Sequence, residues 1–284
     1  FIDTSTSWAS IASDCELFVA FGGVPLKNGQ ISQGGTGAHV QRAGVSAAHK
    51  AGVRFVNISP LRSDLMEEVE AEWLAPRPSS DTALMLGLMH TLLAEELHDE
   101  AFLDRYTVGF ERFATYLNGE EDGIAKTADW AADICALPAD TIRDLARRMA
   151  KSRTMISVAW ALTRQDHGEQ PFWAAMLGQL GLPGTGLGFG YSAMNNIGLN
   201  RQQLDFASFP QGKNPVKDFI PVARVTDLLE NPGGRFDYDG QSYAYPDIRL
   251  IWWAGGNPFH HHQDLNRLRR AWAKPETIIA NEWC

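Results

Sequence analysis

Residues 14–30 read DCELFVAFGGVPLKNGQ. The run from Glu16 to Phe21 is short and apolar, and it ends at the Gly22-Gly23 pair. That is the pattern of a strand covered on both faces that stops in a tight turn. Four further runs read the same way: VRFVNI at 53–58, TMISVA at 154–159, IRLIWW at 248–253 and TIIA at 277–280. Helical patterns separate them. Ser79, Ser80 and Asp81 offer N-cap candidates before an apolar helix from about Thr82 to Glu96. A second helix spans Pro138 to about Lys151, with Ile142, Leu145, Ala146 and Met149 on one face. Arg147, Arg148 and Lys151 crowd its C-terminal end, where the helix dipole favours cations. This alternation predicts an α/β fold of mainly parallel sheets flanked by helices. In such sheets ligands lie at the carboxyl ends of strands.

The chain has 284 residues, 44% of them hydrophobic, and a formal net charge of −9. The acidic balance argues against a nucleic-acid partner, which needs a basic surface. Cys15, Cys135 and Cys284 are widely spaced and form no CxxC pair, so neither zinc, iron–sulfur nor disulfide frameworks are supported. No apolar run reaches the roughly 18 residues of a membrane span. The chain lacks an initiating Met and stops directly after a strand-like run. It is expected to be an internal piece of a longer protein, with any targeting region elsewhere.

The strand ends carry a polar set. After the first come Lys27 and Asn28, and after the second Ser59, Arg62 and Asp64. Trp160, Arg164 and His167 follow the third, and GGNPFHHHQD the fourth. Glycines let backbone amides approach phosphates, Lys and Arg neutralise them, and Asp or Asn reads a base edge. None of these turns matches the usual nicotinamide or ATP fingerprints, so a dinucleotide-like ligand held another way is expected. Each residue also has a plainer reading. Lys27 can be a solvated lysine, Arg62 and Asp64 a local ion pair, Trp160 a core residue, and Asp81 only an N-cap. Glycine is concentrated from Gly178 to Gly198, which suits close backbone approach to another body or a flexible connection. Residues 200–247 look irregular. Tyr191, Phe206, Phe209 and Phe219 either shape an entrance or simply pack. Three adjacent histidines, His260 to His262, cannot readily converge on one ion, because adjacent side chains point in different directions. Two histidines donating to a ligand, with the third in solvent, suit the geometry better.

These motifs resemble the molybdenum S- and N-oxide reductases, the family of the dimethyl sulfoxide, trimethylamine N-oxide and biotin sulfoxide reductases. The resemblance rests on residues 14–30, NISPLRSD from Asn57, SSDTALMLGLMH from Ser79 and WALTRQDHGEQPFW from Trp160. GLPGTGLGFGYS from Gly181 and WWAGGNPFHHHQDLNRL from Trp252 complete it. It covers nearly the whole chain in the family's order. The resemblance implies a middle piece of a catalytic subunit more than twice this length. It also implies oxygen-atom transfer from an S-oxide or N-oxide at molybdenum held by two molybdopterin guanine dinucleotides.

Carried over by position, Lys27 matches the lysine between the two pterins, with Asn28 beside it. Ile58 and Ser59 match the turn along one guanosine, and Ser79, Ser80 and Asp81 the segment that reads its guanine. Trp160, Ala161 and Arg164 match a tryptophan–arginine motif against one dinucleotide. Asn257 and His261 match contacts to the other, and Asn281 with Glu282 the next strand end. Ser59 stands where many relatives have Asn, and Asn281-Glu282 where many have His-Asp. The serine that ligates the metal and the tryptophan that hydrogen-bonds its oxygen are expected upstream of Phe1, so no metal ligand falls in this chain. The implied domains are 1–11, ending a segment of a second α/β domain, 12–264, a Rossmann-like dinucleotide-binding domain, and 265–284, returning to the second. A cytochrome or a reduced nicotinamide route would supply electrons, in either the periplasm or the cytoplasm. The competing readings are a cofactor-free module on a degenerate scaffold and a formate dehydrogenase or nitrate reductase type of enzyme.

Overall fold

The computed structural model describes residues 7–32, 35–36, 39–175, 180, 182, 210, 212–216, 219–238 and 240–281. It divides into two compact units, Phe1–Leu204 and Asp205–Cys284. The first opens with helix α1 (Trp8–Asp14), capped by the Ser7 hydroxyl, and strand β1 (Leu17–Phe21). Next come the short strands β2 (Ile31–Ser32) and β3 (Gly35–Thr36), helix α2 (Gln41–Lys50) and strand β4 (Arg54–Ile58). Strand β5 (Glu72–Leu74) precedes helices α3 (Asp81–Ala94), α4 (Glu100–Tyr106), α5 (Phe110–Leu117), α6 (Ala128–Cys135) and α7 (Ala139–Lys151). Strand β6 (Thr154–Val158) and helix α8 (Gln170–Ala174) follow. The expected strands and long helices are thus present, with ends within about two residues of the sequence reading.

The main sheet has the order β5-β4-β1-β6, and all its pairs are parallel. Strand β1 is the central ribbon, with Leu17 registered against both Arg54 and Thr154. Alternation along it feeds two cores. Leu17, Val19 and Phe21 join the α3–α6–α7 side, while Phe18 and Ala20 join Trp8, Val45 and Phe55 on the α1–α2 side. Helix α3 is apolar nearly all round, as a helix enclosed by neighbours must be, and it packs on α6 and α7. Arg147 of α7 grips the α3 C-cap residue Glu95 with two hydrogen bonds of 2.8 and 2.7 Å. Arg148 pairs with Glu72 at 2.7 Å and Asp144 at 2.8 Å, so the C-terminal cations of α7 also cross-link the layer.

In the second unit, helix α9 (Val225–Glu230) precedes the antiparallel hairpin β7 (Arg235–Tyr238) and β8 (Gln241–Ala244). Strand β9 (Leu250–Ala254), helix α10 (Pro258–His261), helix α11 (Leu265–Trp272) and strand β10 (Thr277–Asn281) follow. The stretch expected to be irregular therefore contains a helix and a hairpin, held by stacked Phe236, Tyr243 and Tyr245. Strands β9 and β10 pair in parallel, but no residue of either is buried, and Trp252 is 67% exposed. This corrects the expectation of strands covered on both faces, because among the described residues this sheet has only two strands. Among the described residues no helix is long and apolar enough to cross a membrane.

Candidate functional site

The strand order decides where a ligand can lie. From β1 the chain moves to β4 and β5 on one side, then returns across to β6 on the other. In sheets of this kind such a reversal places a ligand at the carboxyl ends of the two strands that flank it, here β1 and β6. The ends are stitched together. The Gly22 N–H donates to the Ile58 carbonyl at 2.8 Å, and the Ala159 N–H to the Phe21 carbonyl at 2.8 Å. Gly22 adopts φ +80°, and a Cβ there would lie 2.5 Å from Leu162 Cδ1. Gly23 adopts φ +70°, and its Cβ would lie 2.6 Å from the Asp64 carbonyl oxygen.

Two residues that the sequence motifs did not single out for this role hold the turn. Buried Gln41, at the start of α2, donates from Nε2 to the carbonyls of Val24 at 2.8 Å and Pro25 at 3.0 Å. The Asp64 carbonyl accepts the Val24 N–H at 2.7 Å. From this clamp a 3₁₀ turn, Leu26–Gln30, presents Lys27 and Asn28, both exposed. Lys27 lines a groove of about 660 Å³ together with Pro25, Leu26, Leu61, Ser63 and Asp64.

At the end of β4, Ile58 and Ser59 are buried. The Ser59 hydroxyl donates to Asp64 Oδ2 at 2.6 Å, and its oxygen accepts the Leu61 N–H at 3.2 Å. The Trp73 indole N–H donates to the Ser59 carbonyl at 2.8 Å. These two residues thus shape the turn, and Asp64 serves Ser59 rather than a local pair with Arg62. Asn57 beneath them donates to the Arg62 carbonyl at 3.1 Å, while its side-chain Oδ1 is buried and has no hydrogen-bond partner among the described residues.

After β5, Ser79 takes φ +66° and Ser80 occupies the N-cap position of α3. Ser80 makes no capping bond; its hydroxyl donates back to the Arg77 carbonyl at 2.5 Å. Asp81 opens the helix. Burial pushes its carboxyl above the usual range, opposed only by a hydrogen bond with its own backbone. After β6, a 3₁₀ turn (Trp160–Thr163) carries Trp160, 52% exposed rather than in the core, and exposed Ala161. Arg164 closes that turn by donating its N–H to the Ala161 carbonyl at 2.9 Å, and its side chain is exposed. Lys27, Asn28, Asp81, Trp160, Ala161 and Arg164 therefore share one edge of one sheet.

In the second unit the carboxyl end of β9 turns through Gly255 and Gly256 at φ +76° and +73°. Asn257 caps α10, its Oδ1 accepting the Phe259 N–H at 2.9 Å. His260 is exposed. The His262 ring lies between two carbonyl oxygens, Pro258 at 2.8 Å from Nδ1 and Val222 at 2.9 Å from Nε2. It is bound to its own chain rather than free to face solvent or a ligand. Asn281 ends β10 and accepts the Trp252 indole N–H. The His261 side chain, Glu282, Tyr191, Phe206, Phe209 and nearly all of the Gly178–Gly198 stretch lie outside the described residues.

The donor set of the first unit suits a large anionic ligand that carries a heterocycle. Among the described residues Lys27 and Arg164 make no ion pair, so both charges are available to phosphates. Asp81 is a half-buried acceptor with no cation against it among the described residues, suited to the N–H groups of a base.

Comparison with known proteins agrees with that chemistry. A family model described as "Molybdopterin oxidoreductase" matches residues 7–283. The chain is 46% identical over 278 residues to biotin sulfoxide reductase of Cereibacter sphaeroides, covering 96% of this chain and 37% of that protein. It is 41% identical over 296 residues to the dimethyl sulfoxide/trimethylamine N-oxide reductase of the same organism, covering 99% and 36%. Trimethylamine-N-oxide reductase of Haemophilus influenzae is 39% identical over 305 residues, again covering 99% and 36%. The chain thus spans little more than a third of the length of these relatives.

Proposed function

The chain belongs to the molybdopterin oxidoreductase family, and from that premise we propose that it is the cofactor-gripping part of a molybdenum S-oxide or N-oxide reductase. The family implies a molybdenum–molybdopterin cofactor; the bis(guanine dinucleotide) form is our finer reading. The observation that carries it is the placement of Lys27 and Arg164, neither of which makes an ion pair among the described residues, on the loops after β1 and β6, the strands that flank the strand-order reversal. When bound, the molybdenum centre supplies oxygen-atom transfer.

The chain's own residues hold and orient. Lys27, with Asn28 beside it, would neutralise charge between the pterins, and Arg164 would take a phosphate through paired N–H groups. Trp160 offers a flat face, with Ala161 leaving room beside it. Asp81, with Ser79 and Ser80 setting its approach, would accept from the ring and amino N–H groups of guanine. Ile58 and Ser59 would shape the turn along that guanosine. Asn257, His261, Asn281 and Glu282 would serve the second dinucleotide. The assignment of 12–264 to a dinucleotide-binding domain, with 1–11 and 265–284 belonging to a second one, is part of the same proposal. So are an S-oxide or N-oxide substrate and an electron donor of cytochrome or nicotinamide type.

Metal and guanine analysis of the full-length enzyme tests the reading, with two guanines expected per molybdenum. Lys27→Ala should weaken cofactor retention or slow electron transfer, lowering turnover about tenfold or more. Unchanged metal content with unchanged turnover would sink the role given to Lys27.

A further inference from the structure

Helix α2 opens on a buried amide beside the turn after β1. Gln41 is only 2% exposed, although glutamine side chains mostly lie at the surface. Both N–H groups of its Nε2 serve carbonyls of that turn, Val24 at 2.8 Å and Pro25 at 3.0 Å. Among the described residues the Val24 carbonyl has no other donor. The Pro25 carbonyl also accepts the Asn28 N–H at 2.9 Å, the bond that spans Leu26 and Lys27. The 3₁₀ turn that presents Lys27 is thus closed on an oxygen that Gln41 holds in place.

The chemistry of this contact is narrow. Only Asn and Gln carry two N–H donors on an uncharged nitrogen, and a cation so deeply enclosed would be costly to bury. The match is one-sided. Gln41 Oε1 is buried and has no hydrogen-bond partner among the described residues. An acceptor left unpaired in the interior costs stability, so the amide is a poor choice for the fold alone. What it supplies is a fixed place for two successive carbonyls. The Asp64 carbonyl, accepting the Val24 N–H at 2.7 Å, holds the same turn from the β4 loop. Lys27 makes no ion pair among the described residues, so the backbone beneath it decides where its amine can reach.

We propose that Gln41 is the positioning residue for Lys27. Through the Pro25 carbonyl it fixes the turn from which the lysine reaches the cofactor, without touching the cofactor itself. This rests on the cofactor-binding role given to Lys27 above. Two hydrogen bonds thereby couple the start of α2 to the candidate site. Without them the turn is looser, and ordering Lys27 on the ligand costs more conformational entropy.

A double-mutant cycle in the full-length enzyme separates positioning from plain packing. Gln41→Met keeps the reach of the side chain and removes both donors. With Lys27 present it should speed the loss of guanine from the loaded enzyme about tenfold, and in a Lys27→Ala background by less than about twofold. The melting temperature of the cofactor-free protein should fall equally in both backgrounds. Gln41→Glu decides the matter should the Met variant not fold. Protonated at pH 5 it keeps one donor, whereas at pH 8 its carboxylate faces the two carbonyls with none. Its guanine retention, relative to wild type at each pH, should therefore be better at pH 5. Equal acceleration in both Lys27 backgrounds overturns the positioning role, and so does wild-type retention in the Met variant or pH-independent retention in the Glu variant. Lys27→Ala with unchanged guanine retention, or a wild-type enzyme without guanine, instead overturns the cofactor reading on which the role stands.

Discussion

Asp81 carries its charge at a cost to the fold. Burial raises its pKa in the folded chain above the unfolded value. As pH rises between those two values, the folded state keeps a proton that the unfolded state has already released. Stability therefore falls across that window and stays lower above it. In the cofactor-free protein, Asp81→Asn should raise the melting temperature at pH 7. The gain should vanish near about pH 3, where both states are protonated. In the loaded enzyme the same change replaces an acceptor with an amide and should lower guanine retention. A lower apo melting temperature at pH 7 would mean that burial is not what perturbs this carboxyl. Sequence motifs pointed to Asp81, Lys27 and Arg164 because their side chains are the candidate contacts. Gln41 and Asp64 were not legible in that role, since they act through hydrogen bonds with backbone carbonyls and a backbone N–H that only the folded turn brings near. The histidine run was legible in part. Adjacent spacing argued against a shared ion, but nothing in it marked His262 as the ring enclosed by two carbonyls.

The turn after β1 shows how an element can depend on a missing atom. Gly23→Ala would place a Cβ 2.6 Å from the Asp64 carbonyl oxygen in a left-handed conformation. The backbone would have to yield, costing about 1–3 kcal/mol, and the Leu26–Gln30 turn would lose its seat. Chemical denaturation should report the loss, and weaker cofactor retention should accompany it even though no proposed contact residue is altered. Wild-type stability would show that the turn relaxes without strain. Strands β1, β4 and β6 were readable to within a residue because each is an apolar run bounded by polar residues or turns. Strand β5, only three residues long, and helices α4 to α6, of seven or eight residues, carry too little pattern to stand out. The β7–β8 hairpin escaped notice because its strands are only four residues each within a stretch rich in Pro and Gly.

At the scale of the whole molecule, Lys27 and Arg164, without ion pairs among the described residues, share one sheet edge with the half-buried Asp81, so under the proposed function the bound cofactor should stabilise the protein. Ligand held at 1,000 times its dissociation constant adds about 4 kcal/mol. The cofactor-free full-length protein should therefore melt several degrees below the loaded one, and equal melting temperatures would show that the grip adds nothing to the fold. The alternation of strand and helix patterns gave the α/β class, but it could not say how many strands cover a given run. LIWWA in β9 is as apolar as LFVAF in β1, yet among the described residues β1 has strands on both edges and helices on both faces while β9 pairs only with β10. The central place of β1 also has a consequence in time. Its pairing with β6 joins residues 137 apart, as Glu16 and Arg153 show, so the ribosome must release more than half the chain before that edge can close. Loop closure over that span is slow relative to the nearby β1–β4 pairing. A nascent chain would thus hold the Lys27 loop well before the Arg164 loop exists. Under the proposed function, cofactor loading by both loops then follows synthesis of β6 rather than guiding the early folding of this unit.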